Sequence, residues 1–274
     1  GRCNQAMSTS QPRPSWGRRT GNAGVFSLSS ILCALTVTTA VASDAPTSRN
    51  RVTLIYEGYV QPIEDRELVP GVSDDGARYV ASTMAIVESP DAVVFVDPGF
   101  IADRALILDA LDKAHVDTEL VTHVFISHHH PDHTVNTALF PNATVVDFWA
   151  TYQGDLWQDH GDNYAIDRGV TVIRTPGHTN EDASLVVDTK LGKVVFTHVW
   201  WNETLFPPID PIADDQAALD ESRELVLSIA DCIVPGHGTK FVNPERPEST
   251  CAMVRGPLGP AGERPERERQ PRRP

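Results

Sequence analysis

Apolar residues along this chain fall into short alternating or continuous blocks, separated by polar segments rich in Gly, Pro, Asn and Asp. VTLIYEGYV (52–60) and YVASTMAIVE (79–88) are β-branched and aromatic, with the turn-rich QPIEDRELVPGVSDDGA between them, and they predict two strands joined by a loop. AVVFVDPG (92–99) is a short apolar run that stops at Asp97-Pro98-Gly99. ADRALILDALDKA (102–114) then sets Leu106, Leu108 and Leu111 at helical spacing. VTHVFIS (121–127) reads as a buried strand that ends in a run of histidines. Downstream, ATVVDFWA, GVTVIRTPGH, ASLVVDT, KVVFTH and DCIVPGHG read as strands, and DDQAALDESRELVLSIA reads as an amphipathic helix. A polar loop with scattered aromatics, TYQGDLWQDHGDNYAIDR, separates the first two of these strands, and Thr189 to Gly192 form a hairpin turn. Strands with interspersed helices predict an α/β domain of two packed sheets flanked by helices.

The ends of the chain read differently. Residues 1–43 lack Asp and Glu, carry Arg2, Arg13, Arg18 and Arg19, and run apolar from Val25 to Ala42 before the small-residue site Ala40-Val41-Ala42. That order is the signature of a cleavable secretory signal, with Met7 a candidate start. It predicts a secreted or extracytoplasmic protein with no stable membrane anchor after processing. The alternatives are a membrane anchor, for which the run is of marginal length, or a transit peptide, and a cytoplasmic protein if no signal operates. Residues 244–274 are rich in Pro, Arg and Glu without apolar periodicity, and are expected to be disordered. The folded body is therefore expected over 51–243.

Charge narrows the functions available to that body. It holds 31 acidic against 11 basic side chains, a net of about −20, which the whole-chain value of −14 understates because the tails are basic. A body of this sign repels polyphosphate, so nucleic acid is not the expected partner and a small-molecule substrate is; a homodimer is compatible with the sequence. Of the four cysteines only Cys232 lies within 51–243, so no disulfide internal to the body is expected.

The chemistry gathers where strands stop. His128, His178, His198 and His237 each come at or just after the end of an apolar strand, so a common rim would bring them face to face. In His128-x-His130-x-Asp132-His133, alternation aims His128 and His130 one way while Asp132 and His133 reach a neighbouring position. Imidazole and carboxylate ligands suit zinc and tolerate Mn or Fe, and the spacing admits one or two ions. His123 is read as a packed strand residue, His115 and His160 as surface residues, and His129 as pointing away from the cluster.

SHHHPDH, TPGHTNEDAS and VPGHG, in this order and spacing, resemble the metallo-β-lactamase-fold hydrolase superfamily, and VFVDPG is similar to its earlier strand-end motif. Within the superfamily, LFPNATVV, TPGHTNEDASLVV and ADCIVPGHG resemble the branch of metallo-β-lactamase-domain-containing protein 1 and its prokaryotic relatives. The resemblance implies an αβ/βα four-layer sandwich of two mixed sheets with flanking helices. It also implies that His128, His130 and His178 ligate a first metal, that Asp132, His133 and His237 ligate a second, and that Asp97 orients a ligand. Asp97 as a simple turn cap is the alternative.

One position departs from the pattern. Such relatives read Gly-Asp where this chain has Thr197-His198, and that Asp carboxylate bridges the two metals. An imidazole cannot supply both oxygens of a carboxylate. His198 is left as a terminal ligand to one metal or as no ligand, with a hydroxide as the sole bridge or a single-metal centre as the result.

The expected activity is hydrolysis of a small ester, lactone, thioester or lactam-like substrate by a metal-activated hydroxide, with Asp132 as the catalytic residue that orients the nucleophile and shuttles a proton. Phe148, Trp149, Tyr152 and Trp157 on one side, and Trp200, Trp201 and Phe206 on the other, are the candidate substrate loops, with core packing as the alternative for each. A ribonuclease or phosphodiesterase of the resembling branch is the second reading. A catalytically impaired metal-binding protein, because of His198, is the third.

Overall fold

A computed structural model describes residues 48–62, 78–99 and 104–259; the signal-like segment 1–43 and the end of the tail, 260–274, lie outside the described residues. Along the chain, β1 (Arg51–Tyr56), β2 (Tyr59–Pro62), β3 (Arg78–Ala81), β4 (Met84–Glu88) and β5 (Val93–Val96) lead into α1 (Arg104–Lys113) and β6 (His123–Phe125). The single-turn α2 (Pro131–Thr134) follows, then β7 (Thr144–Val146), β8 (Ala150–Gln153), β9 (Leu156–Asp159), β10 (Tyr164–Asp167), β11 (Val170–Arg174), β12 (Ala183–Thr189) and β13 (Gly192–Thr197). After these come α3 (Gln216–Ile229), β14 (Cys232–Pro235), β15 (Phe241–Val242) and β16 (Val254–Arg255).

The strands form two mixed sheets, ordered β16-β1-β4-β5-β6-β7-β8-β9 and β10-β11-β12-β13-β14-β15, and β2 pairs with β3 as a separate ribbon. Strand side chains alternate between faces, and the alternation sorts the core into layers. Val94, Val96, Phe125, Leu185, Val187, Val194 and Phe196 pack between the sheets. Phe95, Val124 and Ile126, on the opposite face of the first sheet, pack with Ile107 and Leu111 of α1. Val186, Val195 and Ile233 of the second sheet pack with Leu219 and Val226 of α3. The result is the expected helix–sheet–sheet–helix sandwich. Asp215 caps α3 by accepting from Ala217 N and Ala218 N, which satisfies two of the backbone donors left open at a helix start.

The layers bring one edge of each sheet together. β5 and β6 are parallel, so Asp97 and His128 leave the same edge of the first sheet; β13 and β14 are parallel, so His198 and His237 leave the same edge of the second. Ala183 N donates to Ser127 O at 2.8 Å and Thr83 N to Gly236 O at 2.7 Å, which ties the two edges to each other. The convergence expected from the strand ends is present.

Three expectations change. The first two strands each break, at Glu57-Gly58 and Ser82-Thr83, because the chain crosses itself there: a Cβ on Gly58 would lie 2.3 Å from Ala81 O. The segment read as a polar loop, TYQGDLWQDHGDNYAIDR, instead contains part of β8 and all of β9 and β10, with Gly154 at positive φ in the two-residue turn between β8 and β9.

The boundary at 243 is the larger correction. Residues 244–259 are ordered: Cys251 is disulfide-bonded to Cys232, β16 pairs in parallel with β1, and Leu258 N and Gly259 N donate to Leu54 O and Ile55 O. A segment that is polar on average is held here by three apolar anchors, Met253, Val254 and Leu258, and by the open edge of β1. The composition of the tail as a whole conceals them. Among the described residues, no helix is long and apolar enough to cross a membrane.

The disulfide closes a loop with a sequence separation of 19. Cys251→Ser is therefore expected to lower unfolding free energy by about 3 kcal/mol, read as a reduced denaturation midpoint in urea. A midpoint equal to that of the unaltered protein would mean that the link contributes nothing.

Candidate metal centre

His128 leaves β6 three residues after its last strand position, and Pro131 opens α2, which carries Asp132 and His133 on one turn. Proline suits that first helical position because its missing N–H would have no partner there. The loop fits beneath Asp97-Pro98-Gly99 because residue 99 has no side chain; a Cβ there would lie 1.6 Å from Asp132 O. On the facing sheet, Gly177 at φ +146 places the Thr175–His178 turn against α3, where a Cβ would lie 2.3 Å from the Leu219 backbone.

Every sequence-predicted site residue arrives at this rim. His128, His133, His178, His198 and His237 are buried, and Asp132 is mostly buried. The nearest atoms fall into two groups. His130 Nδ1 lies 3.0 Å from His128 Nε2 and 3.2 Å from His178 Nε2. His133 Nε2 lies 3.4 Å from His237 Nε2, and Asp132 Oδ2 lies 3.5 Å from both. Within each group the potential ligand atoms all lie within 4.8 Å of one another.

The outer nitrogens determine what the inner ones carry. Asp97 Oδ2 faces His133 Nδ1 at 2.9 Å, Asp210 Oδ2 faces His178 Nδ1 at 2.7 Å, and Ala81 O faces His237 Nδ1 at 2.8 Å. Each partner is an acceptor, so each Nδ1 carries the proton and each neutral ring presents a lone pair at Nε2. His133 Nε2 and His237 Nε2 therefore meet lone pair to lone pair. With both rings neutral that contact is repulsive unless a positive charge, a proton or a metal ion, sits between the atoms. A tetrahedral ion with bonds of about 2.0–2.1 Å sets its ligands about 3.3 Å apart, which matches the separations present. The donor set fits a borderline transition metal such as zinc.

Electrostatics favour neutral rings at His128, His198 and His237, and a proton or metal ion at His133. Burial, reinforced by the neighbouring histidines, holds His128 and His198 well below the usual imidazole range. Burial is also the main cause that lowers His237 to about 4. Burial acts to lower His133 as well, but the Asp97 carboxylate outweighs it and the net shift is upward. Asp132 is held below the ordinary carboxylate value: burial opposes ionisation, and His133 and His237 more than offset it.

Asp97 fills both roles considered for it. Its Oδ1 accepts from Ser127 N at 2.7 Å, which fixes the strand end, and its Oδ2 orients His133. Asp210, Ala81 O and Ser127, whose Oγ lies 3.1 Å from His128 Nδ1, were not singled out by sequence. Asp210 and Ala81 sit in stretches without a motif and meet their histidines only through the fold, whereas Ser127 opens SHHHPDH and adjoins His128. The remaining histidines lie elsewhere: His129 faces Asp147, His160 stacks on Tyr164, and His123 contacts Thr122 Oγ1.

A cavity of about 250 Å³ opens over the cluster, with Val60, Val80, Ile212 and Trp201 as apolar wall and Arg78 at the same mouth. Of the aromatics proposed as substrate loops, Trp201 lines this cavity, Phe206 packs edge-on against Trp201, and Trp200 is buried in the core beside α3. Phe148 packs against the core between the sheets, and Trp149 and Trp157 are exposed away from the cavity lining.

Residues 77–237 match the family model described as the metallo-beta-lactamase superfamily. Metallo-beta-lactamase domain-containing protein 1 of Rattus norvegicus is 34% identical over 209 residues, covering 72% of this chain and 80% of the relative. The protein of the same name from Xenopus laevis is 30% identical over 209 residues, covering 73% and 84%. Among solved structures, an N-acyl homoserine lactone hydrolase with N-hexanoyl-L-homoserine at its catalytic metal centre superposes with a TM-score of 0.52 at 15% identity, covering 69% of this chain and 92% of that one.

Asp210 gives the centre a direct test. Asp210→Asn keeps the shape and removes the charged acceptor for His178, so metal affinity is expected to fall by roughly ten- to a hundredfold, read by competition with a chromogenic chelator. An affinity equal to the unaltered protein's would show that His178 needs no such partner.

Proposed function

The chain belongs to the metallo-β-lactamase superfamily of hydrolases, and on that premise we propose that it is a zinc-dependent hydrolase of small ester, lactone, thioester or lactam-like substrates. The observation that carries the proposal is the lone-pair contact of His133 and His237, flanked by Asp132 and beside the trio His128, His130 and His178. On this reading those six residues hold two ions. A divalent ion in such a site lowers the pKa of water toward neutrality and polarises a carbonyl oxygen.

The chain's own residues supply the rest. Asp132 is ionised and faces the cavity, so one oxygen is available to orient a water and take its proton. Val60, Val80, Ile212 and Trp201 exclude water from one wall and suit the hydrocarbon part of an acyl group or ring. The lactone hydrolase that shares the fold supports this substrate class, as does the size of the cavity. The acidic body argues against a long polyphosphate ligand.

We propose further that the protein works in an oxidising, extracytoplasmic compartment. The basic–apolar–small order of residues 1–43 supports this reading, and so does the Cys232–Cys251 disulfide, since such links are rare where thiols are kept reduced.

Two measurements test these proposals. Removal of metal with a strong chelator is expected to abolish turnover of short-chain esters and lactones, with recovery on added zinc; His128→Ala and His130→Ala should each lose stoichiometric metal and turnover together. Full metal content in both variants would refute the ligand assignment, and cleavage of labelled RNA in place of the small substrates would refute the substrate class. For the compartment, protein purified from its native host under denaturing, non-reducing conditions should show Cys232 and Cys251 unreactive to a thiol reagent and a mature start near Ser43. Reactive thiols and an intact upstream segment would place it elsewhere.

A further inference from the structure

His198 is the histidine that the six-residue assignment leaves over, and it is not a bystander. It is 2% exposed, and its ring centroid lies 4.2 Å from that of His178, 4.3 Å from His128, 4.9 Å from His133 and 5.0 Å from His237. It shares with His128 and His133 a set of potential ligand atoms within 4.8 Å of one another. Its Nε2 is 3.0 Å from His237 Nε2. The backbone is shaped around the ring: a Cβ on Gly236 would lie 2.2 Å from His198 Cδ2.

A hydrogen bond from His198 to His237 is the simple explanation for that 3.0 Å contact, and an ion held at the second position would displace it. Ala81 O fixes the His237 proton on Nδ1, and the remaining lone pair on Nε2 is directed at the site shared with His133 and Asp132. A lone pair given to a metal cannot accept a proton. With its proton on Nδ1, His198 presents a lone pair at Nε2 on the same side, 3.0 Å from His237 Nε2.

We infer that His198 is a terminal ligand of the second metal through Nε2, which makes that position three imidazoles and one carboxylate: His133, His198, His237 and Asp132. The inference rests on the metal-centre reading above. The two positions draw on seven side chains. Together they offer six imidazoles and a single carboxylate, a nitrogen-rich donor set that favours zinc, cobalt, nickel or copper over the harder magnesium or calcium.

His198 also differs from its neighbours in support. Its Nδ1 is buried with no hydrogen-bond partner among the described residues, whereas the outer nitrogens of His133, His178 and His237 each face an acceptor. An acceptor at the outer nitrogen raises the basicity of the ligating one. His198 is thus the weakest imidazole donor of the second position, which holds its ion less tightly than three supported rings would.

Cobalt(II) titration of the metal-free protein, followed by absorbance and calorimetry, tests this. The unaltered protein is expected to fill in two resolved steps. His198→Ala should weaken the second step by about tenfold or more and leave the first unchanged, and His198→Asp, which restores a carboxylate, should tighten the second. Equal affinities for both ions in His198→Ala and the unaltered protein would overturn the inference. If His198→Ala does not fold by circular dichroism, X-ray absorption of the fully loaded unaltered protein decides: an average of about three imidazoles per metal supports ligation, and a lower average reached with the ring free overturns it. Failure of the unaltered protein to take up any stoichiometric metal would refute the metal centre itself, a result distinct from either.

Discussion

The whole rim is organised by one unfavourable contact. Imidazole nitrogens whose protons are fixed on the far side of each ring meet across 3.4 Å at His133 and His237, inside a protein interior that screens such repulsion poorly. Left alone, that arrangement would push the two sheet edges apart. A cation turns each repulsive pair into two bonds, so the fold holds the rings in the geometry of a ligand sphere. On the proposed reading metal binding and native packing would be coupled, as they are wherever a metal site is assembled from distant parts of a chain.

What keeps the rings in place is largely backbone. Gly99, Gly177 and Gly236 stand where a side chain would collide with Asp132, α3 or His198, and the cross-sheet hydrogen bonds from Ala183 and Thr83 fix the spacing of the edges. Asp97 adopts φ +47, an unfavourable conformation for most residues that aspartate tolerates better than most. There its two carboxylate oxygens serve the strand end and His133 at once. The strained turn and the oriented ligand are the same feature.

The histidines of SHHHPDH, TPGH and VPGHG were legible in the sequence because each group is announced locally, by an apolar strand before it and a Pro- or Gly-bearing turn around it. The layers were legible for a similar reason, since period-two alternation is a local signal. Asp210 was not, because it lies 32 residues from His178 in a stretch with no motif, and only the path of the chain between β13 and α3 makes them partners. The tail was misread because composition averages over Met253, Val254 and Leu258. The Cys232–Cys251 link was missed because the expected body stopped short of its second cysteine. His198 stood out only as a break in a pattern, and its position relative to His237 was invisible without the fold.

The cavity wall and the metal ligands are not independent. Trp201 lines the cavity, and its Nε1 donates to Asp210 Oδ2 at 3.0 Å, the same oxygen that faces His178 Nδ1. A residue of the cavity's apolar wall thus shares an acceptor with a histidine of the cluster. Any substrate that shifts the indole changes how much of that oxygen remains for His178, and with it the donor strength of the ring. Through this one carboxylate the apolar side of the cavity is joined to the imidazole cluster, so on the proposed reading the shape of a bound acyl group and the electronics of the site that would cleave it are linked.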